Sequence, residues 1–264
     1  MDLQLKDKLA LVSGSTAGIG LAIAEGLARE GARVIVNGRA DDRVHTAIQR
    51  IRSHNQGAKL EGMAVDLSSA KGAEEVVRRF PEVDVLVNNL GIFEPEPFEE
   101  ISDANWVRFF EVNVMSGVRL SRAYLPSMKK RNWGRIVFIS SESGIQIPTE
   151  MIHYGVTKTA QIAVARGIAE ICVGTGVTSN AVLPGPTASE GVSDFVGSLA
   201  SRAGQSRQQV EKEFFEKARP TSLLKRFATP EEVAAMVVFV CSPLSAATNG
   251  AALRADGGVI RSPF

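Results

Sequence analysis

The chain has 264 residues, enough for one large α/β domain or two small ones. Hydrophobic residues make up 44% and charged residues 22%, and the formal net charge is +1 with Lys and Arg spread along the chain. That balance fits a globular protein with a sizeable core and argues against the basic patch that nucleic-acid binding needs. The two cysteines, Cys172 and Cys241, lie far apart without CxxC spacing, which excludes a disulfide framework or a zinc site. No run reaches the roughly 18 apolar residues of a membrane span. The first residues pass straight into a strand-like segment with no leader pattern, so a cytoplasmic location is the expectation.

Short runs rich in β-branched residues recur in chain order as KLALVSG (8–14), ARVIVNG (32–38), KLEGMAVDL (59–67), VDVLVNN (83–89), RIVFISS (135–141), GVTSNAVLPG (176–185) and GAALRADGG (250–258). The first six are nearly continuous apolar stretches, as parallel strands buried on both faces should be. Amphipathic stretches separate them, with helices predicted over 20–31, 103–131 and 157–172. Alternation of this kind predicts a single-domain, Rossmann-like doubly wound α/β sheet of about seven mostly parallel strands. Residues 187–227 are too long for an ordinary connection and are predicted to form a helical lid over the substrate end of the sheet.

The first strand runs into SGSTAGIG (13–20), which places Gly14, Gly18 and Gly20 between a strand and a helix. Glycines there let the backbone approach a pyrophosphate at a helix N-terminus, which makes this a candidate dinucleotide turn. The second strand ends in VNGRADDR: Gly38 and Arg39 stand where an acidic residue would select NAD, and Arg39 can grip a 2′-phosphate. Asp41 and Asp42 follow, and Arg43 adds a second cation. NADP is the favoured cofactor and NAD the alternative. Tyr154 and Lys158 lie four apart in HYGVTK, on one face of a predicted helix.

In the order and spacing of these motifs the chain resembles the short-chain dehydrogenase/reductase family nearly from end to end. The glycine spacing is G-x-x-x-G-x-G, NNLG (88–91) is similar to the family's NNAG, and Tyr154 and Lys158 form its Y-x-x-x-K. Ser141 lies thirteen positions before Tyr154, the spacing of the family's serine, with Ser140 beside it, and Asn113 falls at the family's asparagine. The resemblance implies Asn113, Ser141, Tyr154 and Lys158 as the catalytic set. It implies cofactor contacts from Gly14, Ser15, Thr16, Gly18, Ile19, Gly20, Arg39, Asp66, Leu67, Asn89, Gly91, Tyr154, Lys158, Pro184, Gly185 and Thr187. Thr157 stands where the family commonly has Ser and is expected to matter little. No metal is expected, since three scattered histidines (His45, His54, His153) make no ligand cluster.

The implied chemistry is hydride transfer between a nicotinamide and an alcohol/carbonyl pair. A free tyrosine, with a pKa near 10, is a poor base at neutral pH. The Lys158 ammonium is expected to lower it, Ser141 to orient the substrate oxygen, and Asn113 to hold a water linking Lys158 to solvent. His153 is expected at the pocket wall or surface, and Trp106, Phe109 and Phe110 in the core or a subunit interface. Apolar residues such as Ile92, Phe93 and Met151 suggest an aliphatic or ring-bearing substrate, and Glu94, Glu96 and Glu150 disfavour a highly anionic one. A 3-oxoacyl-thioester reductase is one such activity. Two other functions stay open: a non-catalytic NADP-binding regulator or scaffold, and a serine hydrolase built on Ser141, which lacks a placed histidine. Relatives commonly form tetramers, so a homo-oligomer (tetramer or dimer) is expected.

Overall fold

The computed structural model describes residues 1–192, 197 and 206–263. Its strands are β1 (Leu9–Val12), β2 (Arg33–Gly38), β3 (Lys59–Ala64), β4 (Val85–Asn88), β5 (Gly134–Ile139), β6 (Val177–Pro184) and β7 (Ala252–Ala255). They form one seven-stranded sheet in the order β3-β2-β1-β4-β5-β6-β7, with every pairing parallel. Six of the seven strands fall within the predicted runs, and β5 begins one residue before its run, at Gly134. The strand order reverses between β1 and β4, which opens a crevice at their carboxyl ends where ligands bind in sheets of this kind.

Successive strand residues point to opposite faces, and the core divides accordingly. Ala10, Val12, Val34, Val36, Val85 and Val87 face α1 (Gly18–Arg29), α2 (Asp41–His54) and α8 (Pro230–Cys241). Leu11, Ile35, Leu86, Ile136 and Phe138 face α3 (Ala70–Arg79), α5 (Ser116–Lys130) and α6 (Ile152–Glu170). Both faces are covered, which is why the strands read as continuous apolar runs.

The helix predicted over 103–131 is not continuous. It comprises α4 (Asp103–Phe110), a π-helical turn (Glu111–Met115) and α5. The turn contains Asn113, whose side chain is fully buried and bonded to residues outside the helix. Those bonds hold the widened turn open, a distortion that often marks functional positions.

Part of the predicted lid, residues 193–196 and 198–205, lies outside the described residues. The rest leaves and rejoins the body at one point, where Thr187 bridges Ala228, and Ala188 N donates to Ala228 O at 2.8 Å. Within the excursion α7 (Arg207–Lys217) is capped by Ser206, and Phe214 and Phe227 stack with ring centroids 5.2 Å apart. Among the described residues no helix is long and apolar enough to cross a membrane, and no group of His, Cys, Asp and Glu could hold a metal ion.

Candidate active site

The glycine turn sits on the crevice. Gly14 and Gly18 adopt φ of +62° and +54°, a left-handed backbone that costs other residues energy. A Cβ on Gly20 would lie 2.4 Å from both Gly14 O and Asn89 Nδ2, so this position admits only glycine. Asn89 Nδ2 donates to Ser13 O and Gly14 O, each at 3.0 Å, tying the turn to the end of β4. Buried Asn37, not singled out by the sequence reading, ties it to β3. Asn37 Oδ1 accepts from Gly14 N at 3.1 Å, and its Nδ2 donates to Met63 O and Val65 O. This preorganised loop at a helix N-terminus fits the pyrophosphate of a dinucleotide.

The ends of β2 and β3 complete that edge, because Gly38 pairs with Ala64 and Val65 N donates to Gly38 O at 2.8 Å. Arg39 and Asp66 are therefore neighbours, both exposed. Asp66 Oδ1 accepts from Ser68 N and Oγ, while Arg39 makes no hydrogen bond or ion pair among the described residues. Arg43 is instead engaged by Glu190 at 2.8 Å. Thr16 packs against Gly38, where a Cβ would meet its methyl group at 2.5 Å. The Leu67 side chain is buried in the core.

Beyond the turn lies a cavity of about 770 Å³. Ile19, Asn89, Gly91, Ser141, Tyr154, Lys158, Pro184, Gly185 and Thr187, all picked out in the sequence, line it together with Val192, Phe214 and Phe227 from the covering segment. Tyr154 and Lys158 project from the first turns of α6, with Lys158 Nζ 5.5 Å from the phenol ring centroid. Both Ser140 and Ser141 line the cavity, but the Ser140 hydroxyl is committed to Lys158 O, to which it donates at 2.7 Å.

Asn113 stands behind the cavity wall. Its Oδ1 accepts from Ile92 N at 2.8 Å, and its Nδ2 donates to Ile92 O at 3.0 Å and Thr157 Oγ1 at 2.9 Å. Thr157 matters more than expected, since this buried hydroxyl joins Asn113 to Tyr154 O. Gln161 is a second unanticipated link: its Nε2 donates to Asn113 O at 2.6 Å, and its Oε1 accepts from Lys158 Nζ at 3.1 Å. An i,i+3 spacing from Lys158 was the only available signal for it.

His153 corrects the sequence expectation. It lies neither on the pocket wall nor at the surface but is fully buried, packed on Phe109 at 3.9 Å and Trp106 at 5.9 Å between centroids. Neither ring nitrogen has a hydrogen-bond partner, and burial lowers its pKa against the opposing pull of Glu96 and Glu94. Of the aromatic trio, Phe109 is in the core while Phe110 is exposed.

The electrostatics also differ from expectation. Burial pushes Lys158 down to about 7, because desolvation disfavours its charged form. Burial likewise holds Tyr154 above the usual phenol range; Glu142 reinforces this, while a hydrogen bond with Ser141 and the charge of Arg219 oppose it. Arg219 thus adds to the cationic surroundings of Tyr154, while Lys158 Nζ lies 5.5 Å from its ring centroid. Lys158 carries a testable consequence. Its folded pKa lies below its unfolded value, so between about pH 7 and 10.5 the unfolded chain binds the extra proton. Stability contributed by this group therefore rises with pH across that window, by about 1.4 kcal/mol per unit at most, and falls as pH drops towards 7. Urea unfolding of the wild type and Lys158→Met across this window should show that slope only in the wild type.

Glu142 and Arg219 were not foreseen. Glu142 is buried; its Oε2 accepts from Ser141 Oγ and from Ser143 N at 2.8 Å, and its Oε1 accepts from Arg219 Nε at 2.9 Å. Arg219 Nη1 also donates to Glu150 at 2.9 Å. Glu142 and Arg219 are 77 positions apart, beyond any local pattern.

A dinucleotide-type turn and a Tyr–Lys pair facing one cavity define an oxidoreductase of the nicotinamide-dependent α/β class. A family model described as enoyl-(acyl carrier protein) reductase matches residues 14–260, and the chain belongs to the short-chain dehydrogenase/reductase family. It is 50% identical over 264 residues to the uncharacterised oxidoreductase YvaG of Bacillus subtilis (strain 168), covering 100% of both chains. It is 32% identical to the 3-oxoacyl-[acyl-carrier-protein] reductase FabG of Aquifex aeolicus (strain VF5), over 98% of this chain and 100% of that one. Among solved structures, the L-sorbose reductase of Gluconobacter frateurii, complexed with NADPH and L-sorbose, is similar with a TM-score of 0.93 and 32% identity, over 99% of this chain and 100% of that one.

Proposed function

We propose that the protein catalyses reversible hydride transfer between NADP(H) and an alcohol/carbonyl pair, with Tyr154 as general acid/base. The observation that carries this reading is the meeting of Ser141, Tyr154 and Lys158 in one cavity whose edge is the glycine turn. Gly14, Gly18, Gly20 and the α1 N-terminus would hold the pyrophosphate, and Arg39 with Asp66 the adenosine end. When bound, the nicotinamide supplies or accepts the hydride at the carbonyl carbon. In reduction Tyr154 gives its proton to the carbonyl oxygen, so that carbonyl, NADPH and a proton become alcohol and NADP. Ser141 positions that oxygen against Tyr154. Lys158 and Gln161 tie Tyr154's helix to the main chain at Asn113 and so fix the position of Tyr154, whose phenolate regains its proton from solvent after each reduction.

A protonated Tyr154 at neutral pH suits reduction; oxidation requires its phenolate, so the oxidative rate should climb with pH. A non-catalytic cofactor binder is disfavoured by Lys158, whose burial costs stability that binding alone does not require. Free Arg39 supports NADP over NAD, as does the NADPH in the L-sorbose reductase structure. Side-by-side fluorescence titrations should show NADPH binding at least about 10-fold more tightly than NADH, with Arg39→Ala removing most of the difference. Tighter NADH binding would defeat the assignment.

One continuous sheet supports a single domain throughout the chain. Two buried free thiols suit the cytoplasm, and exposed Val107, Phe110 and Val156 suit self-association into a homo-oligomer, measurable as mass by light scattering.

A further inference from the structure

The substrate end of the cavity carries more charge than its apolar lining suggests, and that charge is already paired. Arg219 is nearly enclosed and lies between two carboxylates, Glu142 and Glu150, each at 2.9 Å. Three charged groups therefore sum to one excess negative charge beside Ser141 and Tyr154. Lys217, also at the cavity, pairs with Glu213 at 2.7 Å. Lys158 donates to Ile139 O at 2.9 Å and to Gln161, on the side of the cavity next to Gly91. Among the described residues the cations lining the cavity are each engaged, Arg219 and Lys217 by carboxylates and Lys158 by a main-chain carbonyl and an amide. The two acidic residues that sequence alone placed there with Glu150 are committed elsewhere, Glu94 to Arg108 and Glu96 to Asn105.

We infer that the cavity selects an uncharged carbonyl or alcohol, and that the Glu142–Arg219–Glu150 cluster excludes substrates bearing a free carboxylate or phosphate near the reacting carbon. A substrate anion would either break the buried Glu142–Arg219 pair to reach Arg219 or sit unpaired beside excess negative charge, and both are costly. A neutral substrate meets no such penalty: its body packs on Phe93, Met151 and Phe214, and a hydroxyl can donate to the cluster's rim at Glu150. The inference rests on the hydride-transfer reading and adds the charge class of the substrate to it.

The test compares probes that share one ketone and differ in charge: acetoacetate, its ethyl ester and its N-acetylcysteamine thioester, each with NADPH, followed by nicotinamide absorbance. The expected result is a kcat/KM for the neutral probes at least about 10-fold above that for the acid, a modest figure for one misplaced charge. In Glu150→Gln one carboxylate is neutralised and the excess negative charge disappears, so the neutral-to-acid ratio should fall, mainly through KM for acetoacetate. Thermal melting of this variant checks that it remains folded. Reduction of the acid as well as or better than the esters overturns the inference, as does an unchanged ratio in Glu150→Gln. Reduction of some other carboxylate-bearing ketone alone also overturns it. Failure to reduce any carbonyl in a wider panel counts instead against the hydride-transfer reading, which separates the two.

Discussion

Tyr154→Phe should lower kcat/KM for carbonyl reduction by roughly 10²–10⁴-fold, the range expected for loss of a positioned general acid. The variant keeps the ring, and with it the edge contact to Phe93 at 6.4 Å between centroids. It removes only the hydroxyl, the proton donor that the proposed mechanism places beside Ser141 in the cavity. Ser141 cannot replace it, because an aliphatic hydroxyl is a far weaker acid than a phenol and serves to orient the oxygen rather than protonate it. NADPH affinity should stay within a few-fold, since the glycine turn and Lys158 are untouched. Stopped-flow or steady-state absorbance together with a binding titration reads both quantities. Turnover that survives the substitution would sink the assignment of Tyr154.

Arg219→Met should cost about 3–5 kcal/mol of stability, the penalty for leaving a buried partner charge uncompensated. For a chain of this size that corresponds to a fall of roughly 6–20 °C in Tm. The side chains of Arg219 and Glu142 are only 10% and 6% exposed, so solvent cannot take over the lost partner. Exposed pairs behave differently: Arg108 and Glu94, at 44% and 51%, are screened and contribute about 0–1 kcal/mol. Arg219 also fastens the chain after α7 to the segment that precedes Tyr154, so its loss should speed hydrogen exchange in 206–227 as well as lower Tm. Combining Arg219→Met with Glu142→Gln should restore part of the stability, because the stranded charge is then removed. Calorimetry on the three variants checks this, and a loss below about 1 kcal/mol for Arg219→Met would show the pair to be dispensable.

Local regularities made most of the fold legible before any coordinates. Parallel strands buried on both faces are nearly continuously apolar, so β1, β2, β4, β5 and β6 stood out as runs, whereas the outermost β3 is only partly buried. A backbone that turns with positive φ under close contact admits little but glycine, so Gly14, Gly18 and Gly20 stood out as a turn. Tyr154 and Lys158 could be placed on one face because helical geometry brings positions four apart together. Each of these signals is written within about ten residues of chain.

The parts that escaped sequence reading are the ones set by distant packing. The π-helical turn at Asn113 exists because Ile92 and Thr157, 21 and 44 positions away, bond its side chain. His153 is buried because α4 lays Trp106 and Phe109 over it, which no spacing around Tyr154 could reveal. The charges acting on Tyr154 include Glu142 and Arg219, the latter brought in by the returning arm of the covering segment, while burial takes Lys158 down to about 7. The sequence by itself determined the strand and helix order, the glycine turn and the identity of the Tyr–Lys pair, because periodicity and backbone sterics act locally. Only the tertiary structure decided which groups are desolvated and which charges meet, since burial and Coulomb interaction depend on distance through space rather than along the chain.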